Sequence, residues 1–309
     1  MLPVPSPMMY NGSSSSGALT SNSKTPVSTA DNGLALDEGA KMTHRILNGF
    51  MLLDASGVGL PEDSMAAVLV EKGLDDVNEE DMHFFTGLEY LDVSENYLNI
   101  AAFQNLSSLV ELRIACNNIF NIGDVYGFES LQRLDLSYNK LTVISLQALQ
   151  SLPNLRELDV CGNDIKGLPL DMFRFPSLEK ILLEHNKIDD NNVFAILSSI
   201  PKLRYASVAY NFLSNISPNS CGEGHFPVLD TLDISFNYFG ADKNIESLVH
   251  LPALMKVLIH SLTHSLTHSL THSLTHSLTH SLTHSLTHSL THSPTYSLMN
   301  RSCCTGIPY

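Results

Sequence analysis

Apolar and polar residues follow one repeating pattern through the middle of the chain. The pattern is apolar-x-x-apolar-x-apolar-x-x-Asn-x-apolar, and it occurs seven times. The copies read LEYLDVSENYL from Leu88, LVELRIACNNI from Leu109, LQRLDLSYNKL from Leu131, LRELDVCGNDI from Leu155, LEKILLEHNKI from Leu178, LRYASVAYNFL from Leu203 and LDTLDISFNYF from Leu229. Because side chains alternate between the two faces of a strand, the second and third apolar positions of each copy point to the same side. The pattern therefore predicts seven short strands, each burying one face.

An asparagine follows each predicted strand. The seven are Asn96, Asn117, Asn139, Asn163, Asn186, Asn211 and Asn237. Their spacings run from 21 residues between the first two to 26 between the last two, in or near the period of leucine-rich repeats. An amide at a sharp turn can donate to and accept from backbone groups that would otherwise be buried and unpaired. We therefore predict an α/β leucine-rich-repeat solenoid, with a parallel β-sheet on its concave face and a ladder of these amides.

The segments between the strands are predicted to form short helices or irregular structure on the convex face. Two of them have apolar residues at the spacing of a helix. These residues are Leu146, Leu149 and Leu152 in the first, and Val193, Leu197 and Ile200 in the second. A third segment, GLPLDMFRFP, is expected to be more extended, with Leu168, Met172 and Phe175 facing inward.

Two incomplete copies flank the full ones and set the limits of the predicted domain. SMAAVLVEKGL, near residues 64–74, has Lys72 where asparagine is expected. This suits a first, capping coil, because a solenoid needs a polar end. LMKVLI, at 254–259, begins an eighth copy that is cut off. Together with the full repeats at 88–239, these copies predict a leucine-rich-repeat domain over residues 46–259.

Both ends of the chain are predicted to lie outside this domain. Residues 1–45 are predicted to be a disordered tail. Residues 260–309 begin with the tetrapeptide HSLT, repeated without an error from His260 to Thr291. The repeated tetranucleotide CACT encodes this tetrapeptide in every frame, so we interpret the segment as a translated microsatellite of low complexity. The alternative is metal binding, which is disfavoured because a four-residue step drifts about 40° from the helical turn and spreads the histidines around the helix.

The charge of the chain is concentrated in the predicted domain. The chain has 17 Lys and Arg against 32 Asp and Glu, a net charge of −15, and residues 46–259 hold 29 of the acidic and 13 of the basic residues. Such a surface repels phosphate backbones, so we expect no direct binding of nucleic acid and a protein partner with a basic patch. The five cysteines are odd in number and lack zinc-ligand spacing, which indicates reduced thiols in an intracellular protein. The N-terminus lacks a signal-peptide pattern, and the longest apolar run, ILNGFMLL, is too short to span a membrane.

No motif in the sequence points to catalysis. Gly162 and Gly167 have the spacing of a phosphate-binding loop, but Leu168 stands where lysine is needed. The patterns His-Glu-x-x-His, Gly-x-Ser-x-Gly and Cys-x-x-Cys do not occur. We therefore predict a protein that is not an enzyme, with no catalytic or metal-binding residue, no cofactor and no small-molecule substrate.

The outward-facing strand positions are the candidate partner-binding surface. They combine aromatic and charged side chains, which suits a protein interface because tyrosine and arginine carry much of the binding energy at such surfaces. The candidate residues are Tyr90, Asp92, Arg113, Arg133, Asp135, Tyr138, Asp159, Lys180, Tyr205, Tyr210 and Asp233. The alternative is that the aspartates only keep the sheet soluble.

The order of several motifs over about residues 60–260 carries a family resemblance. LDDVNEEDMHFFTGLEYLDVSENYL is followed by FQNLSSLVELRIACNNI, LQRLDLSYNKLT, FPSLEKILLEHNKIDDNNVFAIL and FPVLDTLDISFNYF. This order resembles the X-ray radiation resistance-associated protein family, of which the chain looks like a truncated member. The resemblance implies a non-enzymatic protein-binding adaptor of cytoplasm and nucleus, linked to the response to X-rays. The alternative function is a regulatory subunit that binds an enzyme such as protein phosphatase-1.

Overall fold

The computed structural model describes residues 44–222, 224–239, 247–248 and 251–259. The microsatellite tail and all but two residues of the predicted N-terminal tail lie outside the described residues. No helix in the described part of the chain is long and apolar enough to cross a membrane.

Short parallel strands form the body of the described domain. The strands are β1 (Ile46–Leu47), β2 (Ala66–Val68), β3 (Asp76–Val77), β4 (Tyr90–Asp92), β5 (Glu111–Arg113), β6 (Arg133–Asp135), β7 (Glu157–Asp159), β8 (Lys180–Leu182), β9 (Tyr205–Ser207), β10 (Thr231–Asp233) and β11 (Lys256–Leu258). Within the described ranges, β2 and β4 to β11 make one nine-stranded sheet in chain order, and β1 pairs with β3 in a second sheet of two strands. Each of the seven full repeats contributes one strand of the larger sheet.

The middle residue of each strand in the larger sheet points into the core. In register, these residues are Ala67, Leu91, Leu112, Leu134, Leu158, Ile181, Ala206, Leu232 and Val257. All except the half-buried Val257 are at most 2% exposed. Six fully buried phenylalanines from the coils fill the space behind the sheet, namely Phe85, Phe103, Phe128, Phe175, Phe194 and Phe226. The predicted leucine-rich-repeat solenoid is therefore confirmed.

The return segments contain short helices. The α-helices are α1 (Gly49–Ser56), α2 (Glu79–Met82), α3 (Val143–Ala148) and α4 (Val193–Leu197). The 3₁₀ helices span Pro61–Asp63, Ile100–Phe103, Leu149–Ser151, Met172–Arg174 and Pro218–Ser220. Both helices predicted from apolar spacing are present, as α3 and α4. The segment GLPLDMFRFP does bury Leu168, Met172 and Phe175, but it includes a 3₁₀ turn where extended chain was expected.

The N-terminal end of the solenoid contains structure that the repeat pattern does not encode. Helix α1 packs against β2, and its first turn is capped by the side chain of Asn48, which accepts a hydrogen bond from the Met51 amide at 3.0 Å. Arg45, which was assigned to the disordered tail, donates from its backbone amide to Asp75 at 2.9 Å. The coil around Lys72, predicted to be the cap, is therefore covered by a further layer that begins at His44.

The C-terminal end of the described sheet is β11, which belongs to the predicted eighth repeat. It pairs with β10 in the same register as the strands before it. Val257 and Ile259 are partly buried and pack against the core. In the repeat pattern the asparagine of this copy would fall at position 262, which is occupied by Leu262 and lies outside the described residues.

Candidate protein-binding face

Two columns of side chains cover the exposed face of the sheet, one from the first residue of each strand and one from the third. In register, the first column reads Tyr90, Glu111, Arg133, Glu157, Lys180, Tyr205, Thr231 and Lys256. The second column reads Asp92, Arg113, Asp135, Asp159, Leu182, Ser207, Asp233 and Leu258. The structure thus brings nine of the eleven candidate residues together in these columns. The other two, Tyr138 and Tyr210, lie in a third column beside the asparagine turns.

The basic candidates on this face already have partners within the sheet. Glu111 accepts from Arg113 at 2.8 Å and from Arg133 at 2.5 Å. Lys180 lies 3.4 Å from a Glu157 carboxylate oxygen. The Arg113 guanidinium also sits over the Tyr90 ring, 5.5 Å from its centroid. Arg113 is therefore paired within its own strand, and Arg133 and Lys180 are paired across strands, so a partner meets positive charge that is largely compensated.

Lys180 makes a second cation–π contact, at the other end of the charged residues in the first column. Its ammonium lies 5.8 Å from the centroid of the Tyr205 ring. In the first column, the charged residues from Glu111 to Lys180 alternate in sign. A tyrosine lies at each end of this run, Tyr90 before Glu111 and Tyr205 after Lys180, and each tyrosine ring contacts a cation. These two cation–π contacts connect β4 with β5 and β8 with β9.

The four aspartates of the second column stabilise the turns that follow their strands. Each accepts a hydrogen bond from the backbone amide two residues further on, at 2.9 or 3.0 Å. The pairs are Asp92 with Ser94, Asp135 with Ser137, Asp159 with Cys161 and Asp233 with Ser235. Such side-chain turns fix the chain where it leaves the strand. Among the described residues, no lysine or arginine lies within ion-pair distance of these four carboxylates.

Asp135 and Asp159 concentrate negative charge at the centre of the face. They are direct neighbours in register on β6 and β7. Burial, with a further contribution from the Asp135 carboxylate, raises the pKa of Asp159, and the hydrogen bond from Cys161 opposes this rise. A partly buried carboxylate beside a second one gives this part of the sheet a negative potential.

The third column consists of the residue before each asparagine, and its backbone is left-handed in every repeat. The residues and their φ angles are Glu95 (61°), Cys116 (54°), Tyr138 (54°), Gly162 (66°), His185 (53°), Tyr210 (55°) and Phe236 (55°). The last three stack their rings. The centroids of His185 and Tyr210 are 4.1 Å apart, those of Tyr210 and Phe236 are 4.2 Å apart, and both pairs are inclined by 15°. The sequence indicated a column of aromatic and histidine residues near the asparagine turns, including His185, Tyr210 and Phe236, but it did not predict that these rings stack.

The seven asparagines are buried and join neighbouring coils. The Asn139 amide nitrogen donates to Leu136 and Ser137 of its own turn, and to Ile114 of the preceding coil at 3.1 Å. Its amide oxygen accepts from the backbone amides of Asn117 and Ile119, both at 2.9 Å. The other six amides also donate to, and accept from, the preceding coil. These side chains bind backbone groups and are covered from solvent.

Cys116, Cys161 and Cys221 form no disulfide bond within the described residues, and burial raises the pKa of Cys221 to about 11. Burial, with the neighbouring Asp159 carboxylate, also raises the pKa of Cys161. In the described part of the chain, no group of three or more His, Cys, Asp and Glu side chains is placed to hold a metal ion.

Comparison with known proteins agrees with this geometry. Residues 107–165 match the family described as leucine rich repeat. The chain is 30% identical to X-ray radiation resistance-associated protein 1 of Mus musculus over 202 residues, which are 58% of this chain and 25% of that protein. It is 36% identical to Receptor-like protein 35 of Arabidopsis thaliana over 102 residues, 33% of this chain and 10% of that protein. The matched parts thus span about a quarter or less of these curated relatives.

Solved structures share the fold. A leucine-rich-repeat protein of Leptospira interrogans is 23% identical, with a TM-score of 0.53, and the match covers 63% of this chain and 49% of that one. Internalin C2 of Listeria monocytogenes is 21% identical, also with a TM-score of 0.53, and the match covers 68% of this chain and 91% of that one. The repeats, the nine-stranded parallel sheet of the described residues and these likenesses together identify the described domain as a leucine-rich-repeat solenoid.

Proposed function

We propose that this chain is a non-enzymatic adaptor that binds a protein partner through the concave face, and that the partner presents a basic patch. The distribution of charge on the face carries the proposal. Arg113, Arg133 and Lys180 are engaged by glutamates of the same sheet, whereas Asp135 and Asp159 have no cation within ion-pair distance among the described residues. A surface with uncompensated carboxylates attracts a basic partner and repels phosphate backbones, which disfavours direct binding of nucleic acid.

We further propose a role in the cellular response to X-rays, within the X-ray radiation resistance-associated family. The support is the name of the mouse relative and the 30% identity over 58% of this chain. Cytoplasm and nucleus are the proposed locations. Fractionation of cells that express the tagged full chain, before and after irradiation, tests this. Recovery of the chain only in the membrane or secreted fraction would contradict the proposed locations.

The binding face is tested by removing charge without removing the turn hydrogen bonds. Asparagine retains an oxygen that can accept from the amides of Ser137 and Cys161, so Asp135→Asn with Asp159→Asn is preferable to reversal to lysine. The matched control is Glu62→Gln with Asp63→Asn, which removes two charges from an exposed 3₁₀ turn outside the sheet.

The tagged full chain is used to capture proteins from cell extract, with chemical cross-linking and mass spectrometry to identify the contacts. We expect cross-links between the sheet and lysine-rich or arginine-rich surfaces, lost in the Asp135/Asp159 variant and retained in the control. Equal capture by both variants would refute the concave face as the interface. Phosphatase activity in the same eluate would favour the alternative, a regulatory subunit of an enzyme such as protein phosphatase-1.

A further inference from the structure

The ion pairs within the two concave columns of the described sheet all lie on β5 to β8. The columns from β4 to β8 contain Arg113, Arg133 and Lys180 beside glutamates. At β9 and β10 the first column has Tyr205 and Thr231, and the second has Ser207 and Asp233. In the part of the chain that the structure describes, neither Asp233 nor the nearby Glu184 has a lysine or arginine within ion-pair distance.

A rigid aromatic wall borders these two carboxylates. Glu184 directly precedes His185, the first ring of the stack that continues through Tyr210 and Phe236. Burial and then the carboxylates of Glu184 and Asp233 raise the pKa of Tyr210, so both carboxylates act on the Tyr210 phenol. Because both faces of the Tyr210 ring are covered by its neighbours, a bound partner meets the edge of the ring and its hydroxyl. A wall of this kind excludes water from one side and strengthens electrostatic attraction beside it.

An unsatisfied hydroxyl lies below the same place. Ser207 pairs in register with Asp233 on one side and Leu182 on the other. Its neighbour Ala206 points into the core, so Ser207 points to the concave side, where it is 0% exposed. Its Oγ has no hydrogen-bond partner among the described residues. A buried hydroxyl without a partner is unfavourable, so an N–H donor brought to this place by a bound partner would be stabilised by pairing with it.

We propose that Glu184, Ser207, Tyr210 and Asp233 form a seat for a cationic side chain from an extended basic segment of the protein partner. This proposal rests on the proposed function and adds the position and chemistry of the contact. The two carboxylates accept charge-assisted hydrogen bonds, the Ser207 hydroxyl accepts a further N–H, and the ring edges position the aliphatic part of the side chain. Basic residues of the segment extend from the seat along the second column towards Asp159.

The test measures binding of a fluorescein-labelled peptide of alternating arginine and serine to the full chain, by fluorescence anisotropy. A peptide with citrulline in place of arginine has nearly the same shape without the charge. The seat variant is Glu184→Gln with Asp233→Asn, where asparagine keeps an acceptor for the Ser235 amide. Glu62→Gln with Asp63→Asn is again the control, because it changes the net charge equally.

We expect the arginine peptide to bind and the citrulline peptide not to bind. The seat variant should raise Kd about tenfold or more, since two charge-assisted hydrogen bonds are lost, and the control should change it less than about twofold. Ser207→Ala should weaken binding and also raise the melting temperature, because it removes an orphaned hydroxyl. A purely structural serine would not weaken binding.

Several results would overturn the seat. Equal weakening by the seat variant and the control would indicate diffuse charge. Equal binding of the citrulline peptide would exclude a cation as the ligand. Tighter binding of a single-stranded oligonucleotide, lost in Tyr210→Asn, would assign the rings to nucleic acid. If capture of the protein partner depends on Asp135 and Asp159 but peptide binding ignores the seat variant, the seat fails and the proposed function stands.

Discussion

Replacing Asn139 by alanine would remove one complete link between neighbouring coils in the middle of the solenoid. The side chain is 6% exposed, and its oxygen accepts from the backbone amides of Asn117 and Ile119, both at 2.9 Å. Its nitrogen donates to three carbonyls, of which Ser137 also accepts from the Cys116 amide. The variant therefore leaves two buried amides and the Ile114 carbonyl without a partner, whereas the Leu136 carbonyl still accepts from the Asn163 side chain.

The expected loss of stability follows from this inventory. Each orphaned buried group costs about 1–3 kcal/mol, so two amides give a loss of about 2–6 kcal/mol in the free energy of unfolding. Such a loss is a large fraction of the total stability of a typical domain, which is about 5–15 kcal/mol. Asn139→Asp should be at least as harmful, because it retains the acceptor but places a buried carboxylate against carbonyl oxygens.

Urea unfolding of the full chain, followed by circular dichroism, measures this loss. Asn154→Ala is the matched control, since Asn154 is exposed and makes one hydrogen bond, to the Glu129 carbonyl at 2.7 Å. We expect the control to lose less than about 1 kcal/mol. If Asn139→Ala lost no more than the control, with an unchanged dependence on urea, the amide ladder would not be what holds the coils together.

Three further predictions concern the binding face and its surroundings. Because the pKa of Asp159 is raised, the folded state binds a proton more readily than the unfolded state, and the charged carboxylate destabilises the fold at neutral pH. Asp159→Asn should therefore raise the melting temperature at pH 7, and its advantage should shrink as the pH falls through the folded-state pKa; an advantage that is constant with pH would contradict this cause. Gly162→Ala should lower the free energy of unfolding by about 1–3 kcal/mol, because φ is +66° and a Cβ atom would lie 2.6 Å from the Tyr138 ring. In the double variant, Tyr138→Ser should recover part of this loss, which urea titrations would measure. Cys221, with its pKa raised to about 11, should react with iodoacetamide at pH 8 much more slowly in the folded chain than in urea, and equal rates by mass spectrometry would refute its burial.

The repeat architecture could be predicted because its signal is local and recurs. Leu91 and Val93 are spaced at the period of a strand, and Asn96 lies in the same unit. One window of eleven residues therefore contains both the strand pattern and the asparagine of its turn. The arrangement of the concave columns follows from this register alone. The helices α3 and α4 were also visible, because their apolar faces lie within one short segment.

The N-terminal layer was not predicted because its partners are far apart in the chain. Ile46 pairs with Asp76, and α1 covers an edge strand from a different part of the sequence. Neither segment has the period of the repeats. The apolar residues of this N-terminal layer become buried only when the layer packs against the first coil of the solenoid.

The sequence by itself determined the repeating strand, the buried asparagine and the outward direction of residues such as Asp135 and Tyr205, since each depends on backbone periodicity. Only the tertiary structure decided which of those outward residues remain available to contact a partner. Glu111 meets Arg133 because 22 positions of intervening chain close into one coil and set the two side chains against each other. The same closure stacks His185, Tyr210 and Phe236 and leaves Ser207 without a partner among the described residues. Contacts between coils depend on the length and packing of the return segments, and no short pattern in the sequence contains that information.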